Sequence, residues 1–132
     1  MISNYKDLIF WQRAHEVSVL VIKLCRKLPK ERIADILCSQ IIRSSVSVGA
    51  NIAEGFGRYK GKEYVRFLQI SLGSANETDY WLLLLRDTYP QFRKELDEIT
   101  EKNLETIKML STALKTLRQK KDLSLNSLNL NS

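Results

Sequence analysis

Apolar residues recur along this chain at spacings of three and four, which lines them up as one stripe on an α-helix of 3.6 residues per turn. From Lys6 to Leu28 the stripe runs through Trp11, Ala14, Ser18, Val21, Cys25 and Leu28, and Pro29 ends it. From Glu31 to Phe56 it runs through Ala34, Cys38, Ile41, Ser45, Val48 and Ile52. Gly55-Phe56-Gly57 follows, and glycine there suits a left-handed helix cap. A third stripe, from Lys62 to Thr88, takes in Tyr64, Leu68, Ser71, Ala75, Thr78, Leu82 and Leu85, with Tyr89-Pro90 behind it. A fourth, from Arg93 to Arg118, aligns Leu96, Ile99, Asn103, Ile107, Leu110, Leu114 and Leu117. At a rise of about 1.5 Å per residue, each helix spans about 33 to 40 Å. Short connections between such helices set neighbours antiparallel. The expected fold is all-α, an antiparallel up-down-up-down four-helix bundle over residues 1–118.

Residues 119–132 repeat Leu, Asn and Ser with no helical stripe. They are expected to form a disordered C-terminal tail. The alternative is that the leucines dock into a neighbour.

Beside the apolar line of the second helix runs a second line that is polar or small throughout, namely Gln40, Ser44, Ser47, Asn51 and Glu54. The third helix offers Ser71, Gly73, Ser74, Ala75, Glu77 and Thr78 opposite it. Small side chains let two helix backbones approach closely. Asn51, Glu54 and Glu77 then need partners, because an unpaired buried polar group costs about 1 to 3 kcal/mol. Arg43 is the cation nearest Glu77 in a pairing of these two helices. Two readings stay open, a solvated helix face and a polar network buried between helices or between subunits.

A chain of 132 residues has room for one ordinary domain, and only 5 Gly and 2 Pro leave few places to interrupt a helix. No apolar run approaches the roughly 18 to 20 residues of a membrane span, and the first seven residues lack a signal peptide's layout. The expected location is the cytosol, with no membrane partner. Cys25 and Cys38 show no CxxC spacing and no companion histidines, so two reduced packing thiols are expected. A bridge between them stays open geometrically, since they flank one predicted turn.

Catalytic patterns are missing. His15 is the single histidine, so no metal set or nucleophile relay assembles around it, and it reads as a surface or interface residue. Gly55, Gly57 and Gly61 are not followed by the Gly-Lys-Ser/Thr of a P-loop. Glu54, Glu63 and Glu77 lack the Glu-x-x-His pairs of di-iron bundles. The expectation is a protein without enzymatic activity, metal or cofactor.

Several runs carry a resemblance: Leu8 to Ala14, Gln40-Ile41-Ile42-Arg43-Ser44-Ser45-Val46-Ser47, Ala50-Asn51-Ile52-Ala53-Glu54-Gly55-Phe56-Gly57-Arg58, Glu63 with Phe67-Leu68, and Leu72-Gly73-Ser74-Ala75-Asn76-Glu77. Together they resemble the four-helix bundle proteins related to those encoded by intervening sequences in 23S ribosomal RNA genes. The likeness covers the first three helices, and the fourth only in its periodicity. It implies a left-handed bundle that assembles into a homo-oligomeric, pentameric ring, with no enzymatic activity. Relatives include the accessory proteins of diversity-generating retroelements, which bind a reverse transcriptase and nucleic acid. The implied partners are RNA or DNA, or a protein such as a reverse transcriptase. Where the family commonly has proline before Ala-Asn, this chain has Gly49.

The excess of 21 Lys plus Arg over 15 Asp plus Glu, net +6, biases the chain toward polyanions. In an up-down bundle the start of the first helix, the end of the second, the start of the third and the end of the fourth share one end. Lys6, Arg13, Arg58, Lys60, Lys62, Arg66, Lys115, Arg118, Lys120 and Lys121 fall there against five acids, a net of +5, while the opposite end sums to zero. In a ring these ends line up on one face, which is the expected RNA-binding surface. Cations near helix C-termini also complement the helix dipole, worth about 0.3 to 1 kcal/mol each, and that bland explanation stands beside the functional one. Trp11, Gln40, Arg43, Ser44, Ser47, Asn51, Glu54, Gly73, Ser74 and Glu77 are the expected structural or interface positions.

Overall fold

The structure is a computed structural model that describes residues 2–58 and 62–130, with side chains described as far as Lys120. Its four α-helices are α1 (Ile9–Lys27), α2 (Arg32–Gly57), α3 (Lys62–Thr88) and α4 (Arg93–Leu130), and single turns of 3-10 helix at Tyr5–Asp7 and Pro90–Phe92 lead into α1 and α4. Among the described residues there is no strand.

The entry to α1 differs from the expectation. Asn4 caps the first 3-10 turn through its side chain, which accepts from the Lys6 amide, and Leu8 is extended, so the α-helix starts at Ile9. At the other boundary α4 carries on past Arg118, its expected end, to Leu130. The side chains after Lys120 lie outside the described residues, and with them the tail's leucines.

The end of α2 departs from the expected left-handed glycine cap. Arg58 follows the helix at φ −119° and closes it by donating its backbone N–H to the Gly55 carbonyl. Gly55 is buried inside the last turns, where a Cβ would lie 2.7 Å from Cβ of Phe67. Its role is close approach of α2 to α3, not helix termination.

The stripes form the core. On α2 all six expected positions are buried, and on α3 all but the half-buried Tyr64. Val17 and Leu24 of α1 and Thr106 of α4 join them from beside the expected lines. The core divides along the long axis. One cluster gathers Val21, Leu24, Ile41, Leu82, Leu85 and Leu96, and the other gathers Leu8, Ile52, Leu68, Leu110 and Leu114. Polar groups inside are paired. Asn103 donates to the Ala75 carbonyl (3.0 Å) and Ser18 to the Ser45 carbonyl (3.1 Å), and no buried side-chain nitrogen or oxygen among the described residues lacks a partner.

At the first cluster's end the Tyr89 hydroxyl donates to the Glu31 carboxylate, tying the α1–α2 turn to the α3–α4 turn. Donating to that carboxylate, with burial adding to it, pushes the phenol's pKa up to about 12. Cys25 and Cys38 are free thiols, and burial raises the pKa of Cys25, favouring the neutral packing form.

Candidate nucleic-acid interface

The second core cluster builds the end where the sequence places the positive charge. Phe56 of α2, Tyr64 and Val65 of α3, and Leu117 of α4 pack around Leu68 and Leu114. Burial raises the Tyr64 phenol's pKa, in keeping with a core position. Arg66, Lys115 and Arg118 lie within a turn of these residues, so apolar packing fixes where the cations emerge.

Not all the expected cations are free. Arg58 pairs with Glu54 at 3.2 Å and Glu63 at 3.8 Å and lies over the Phe67 ring. Arg13 Nε meets Glu105 at 3.0 Å. Alongside it, Lys102 donates to Glu16 at 2.7 Å, which lowers the Glu16 pKa. Such exposed pairs contribute only about 0 to 1 kcal/mol each, but they leave Arg58 and Arg13 less available to another anion. Lys62, Arg66, Lys115, Arg118 and Lys120 are exposed and have no ion pair among the described residues. Lys60 and the Lys121 side chain lie outside the described residues.

A second group of cations escaped the sequence reading. Lys23, Arg26, Lys27, Lys30 and Arg32 are exposed around the α1–α2 turn without an ion pair among the described residues. Of the acids that cancel them in a sum over that end, Glu31 and Asp35 lie beside the same turn and the other six sit on α3 and α4, where Asp97 pairs with Arg86 and Arg93 at 3.6 Å. Five cations in ten consecutive residues was the available signal, and summing over the whole end hid it.

The polar line of α2 lies along the seam with α3. Ser44 Oγ is 2.8 Å from Thr78 Oγ1, Ser47 Oγ is 3.0 Å from Ser74 Oγ, and Ser71 donates to the Val48 carbonyl at 2.9 Å. Asn51 donates back to Ser47, at 2.8 Å to its carbonyl and 2.9 Å to its hydroxyl. Nearer the surface Arg43 pairs with Glu77 and donates to Gln40 at 3.2 Å. Trp81, which the sequence reading did not place here, donates its indole N–H to Glu77 at 2.9 Å. Glu54 is exposed and faces Arg58, and a Cβ on Gly73 would meet only open space. The network is therefore satisfied within one subunit.

Trp11 packs against the second cluster. It is half-buried between α1 and α2, stacked on His15 at 4.9 Å and edge-on to Tyr5 at 5.1 Å. Gly49 leaves α2 continuous, and a Cβ there would sit 3.4 Å from Trp11 Nε1.

Residues 6–112 match the family model described as 23S rRNA-intervening sequence protein. The chain belongs to that family. A crystal structure of a protein of unknown function from the S23 ribosomal protein family of Bacteroides thetaiotaomicron is 31% identical, covering 81% of this chain and 99% of its own, with a TM-score of 0.73. No curated protein matches. In this 23S rRNA-intervening sequence protein the matched span holds the whole α2–α3 seam together with Lys62 and Arg66. Lys115, Arg118, Lys120 and Lys121 fall after it. Among the described residues no group of His, Cys, Asp and Glu could hold a metal ion, and no helix is long and apolar enough to cross a membrane.

Proposed function

We propose that this chain is a non-catalytic, homo-oligomeric bundle, its helices alternating up and down, that takes the phosphate backbone of RNA on the end bearing Lys62, Arg66, Lys115, Arg118 and Lys120. The observation supporting this reading is that these five cations are exposed at one end around an apolar cluster and, among the described residues, have no ion pair. Lone cationic tips attract a polyanion weakly, and repeating them around a ring, pentameric as the resemblance implies, multiplies the field. Contacts of this kind read charge and not sequence, so DNA competes.

The test is retention of RNA by the purified protein across a salt series. Each phosphate contact contributes about 0.7 to 0.9 to the fall of log affinity with log salt. Changing Lys62, Arg66, Lys115 and Arg118 together to Glu is expected to abolish retention and leave helix content unchanged. Unchanged retention overturns the reading. Absence of RNA binding even in low salt, joined to co-purification with one protein, favours a scaffold that recruits an enzyme such as a reverse transcriptase.

A further inference from the structure

The α1–α2 turn holds chemistry that the basic end does not use. Cys25 stands near the end of α1 and Cys38 near the start of α2, and both are free thiols. Contacts between these two helices climb α1 as they descend α2. Trp11 lies beside Gly49, and Ser18 donates to the Ser45 carbonyl at 3.1 Å. Seven residues along α1 from Ser18 stands Cys25, and seven residues back along α2 from Ser45 stands Cys38. A step of that length is close to two turns on either helix, so the register that joins the serines sets the cysteines face to face. Both belong to the first core cluster, Cys38 buried within it and Cys25 packed against it from a half-buried position. Burial raises the Cys25 pKa, and a side-chain hydrogen bond with Cys38 raises it further, which places the two sulfurs within reach of each other.

The surroundings favour one class of oxidant. Lys23, Arg26, Lys27, Lys30 and Arg32 are exposed around the turn without an ion pair among the described residues. Each half of glutathione disulfide carries more carboxylates than ammonium groups, so these cations draw it toward the turn. Cys25 is the more accessible thiol and meets the oxidant first. Cys38, buried behind it, is placed to displace the adduct.

We propose that Cys25 and Cys38 are a reversible dithiol–disulfide pair, which glutathione disulfide oxidises to a bridge across the α1–α2 turn. The Cys25 thiol loses its proton to water, and its sulfur attacks one sulfur of glutathione disulfide. That S–S bond breaks and releases a glutathione thiolate. The Cys38 sulfur, deprotonated in turn, attacks the Cys25 sulfur, and the mixed disulfide breaks to release the second thiolate. The protein gives up two protons and two electrons, and the two glutathione thiols take them. Burial keeps Cys25 neutral, so the exchange is slow and the pair stays a dithiol until the oxidant accumulates. The bridge pins the end of α1 to the start of α2, together with the cations that both carry. It also removes freedom from the unfolded chain by closing the loop from Cys25 to Cys38.

The experiment treats the folded full chain with glutathione disulfide and, separately, with uncharged hydroxyethyl disulfide. Intact mass, free thiols and thermal unfolding by circular dichroism are then read. The unaltered chain is expected to lose both thiols and two hydrogens of mass, with no glutathione retained and no crosslink between copies. Its unfolding midpoint is expected to rise by roughly 10 °C, and dithiothreitol to reverse both changes. Added salt is expected to slow glutathione disulfide and to leave the uncharged oxidant unaffected. Cys38→Ser is expected to stop at a glutathione adduct on Cys25. Thiols that persist in the folded chain but react in urea, or glutathione left on Cys25 of the unaltered chain, overturn the pair. A bridge that lowers the midpoint overturns the staple across the turn. Equal salt dependence for the two oxidants overturns the part given to the cations.

Discussion

Two sides of α2 are lined with small residues and use them in opposite ways. Toward α3, Ser44, Ser47 and Gly55 let the helices meet, and each hydroxyl there finds a partner within the subunit. On the side shared with α1, Gly49, Ala50 and Ala53 leave a hollow that no part of the described chain fills. Small residues mark close approach in both places, and the hydrogen bonds tell which approach is already made. The seam's polar groups are spent on folding, whereas the hollow is lined mainly by apolar side chains, with Tyr5, His15 and Ser18 among them.

The comparison breaks most easily at Gly55. Gly55→Leu forces a side chain into Phe67 and is expected to destabilise the protein by about 3 kcal/mol in urea unfolding. A double-mutant cycle of Ser44→Ala and Thr78→Val is expected to give a coupling of about 1 kcal/mol, since both hydroxyls are buried and bonded to each other. A coupling near zero would make the seam a packing surface only.

The tie at the far end of the seam sharpens the contrast through pH. Tyr89 has its pKa raised from 10.0 to about 12, so its contribution is complete below pH 10 and lost as pH climbs toward 12. Unfolding measured from pH 9 upward is expected to show this fall, and Tyr89→Phe to remove that part of it. The smallest effect on stability belongs to the hollow. Ala50→Glu sits at an exposed position and is expected to shift unfolding by less than about 0.5 kcal/mol. If it unfolds the chain, Ala50 is part of the core and the hollow is not a free surface.

The helical stripes made most of the fold legible, because burial follows the 3.6-residue period wherever one face of a helix meets the core. Val17 and Leu24 were missed since α1 touches both α2 and α4, which widens its buried face beyond a single line. The Arg43–Glu77 pair was legible from helix pairing alone. Trp81 was not, because an indole that packs with its ring and donates with its N–H looks apolar in a pattern. Gly55 read as a stop signal because sequence shows a glycine's freedom and not the neighbour pressing on it. The cations around the α1–α2 turn vanished in a sum over one end, where charge has to be assigned to corners.

The proposed function depends on self-association, which alone gathers the cationic ends into one strong field, so the mass of the unaltered chain in solution tests it most directly. Multi-angle light scattering at micromolar concentration is expected to return a multiple of 15.3 kDa. A particle of one subunit's mass would contradict it.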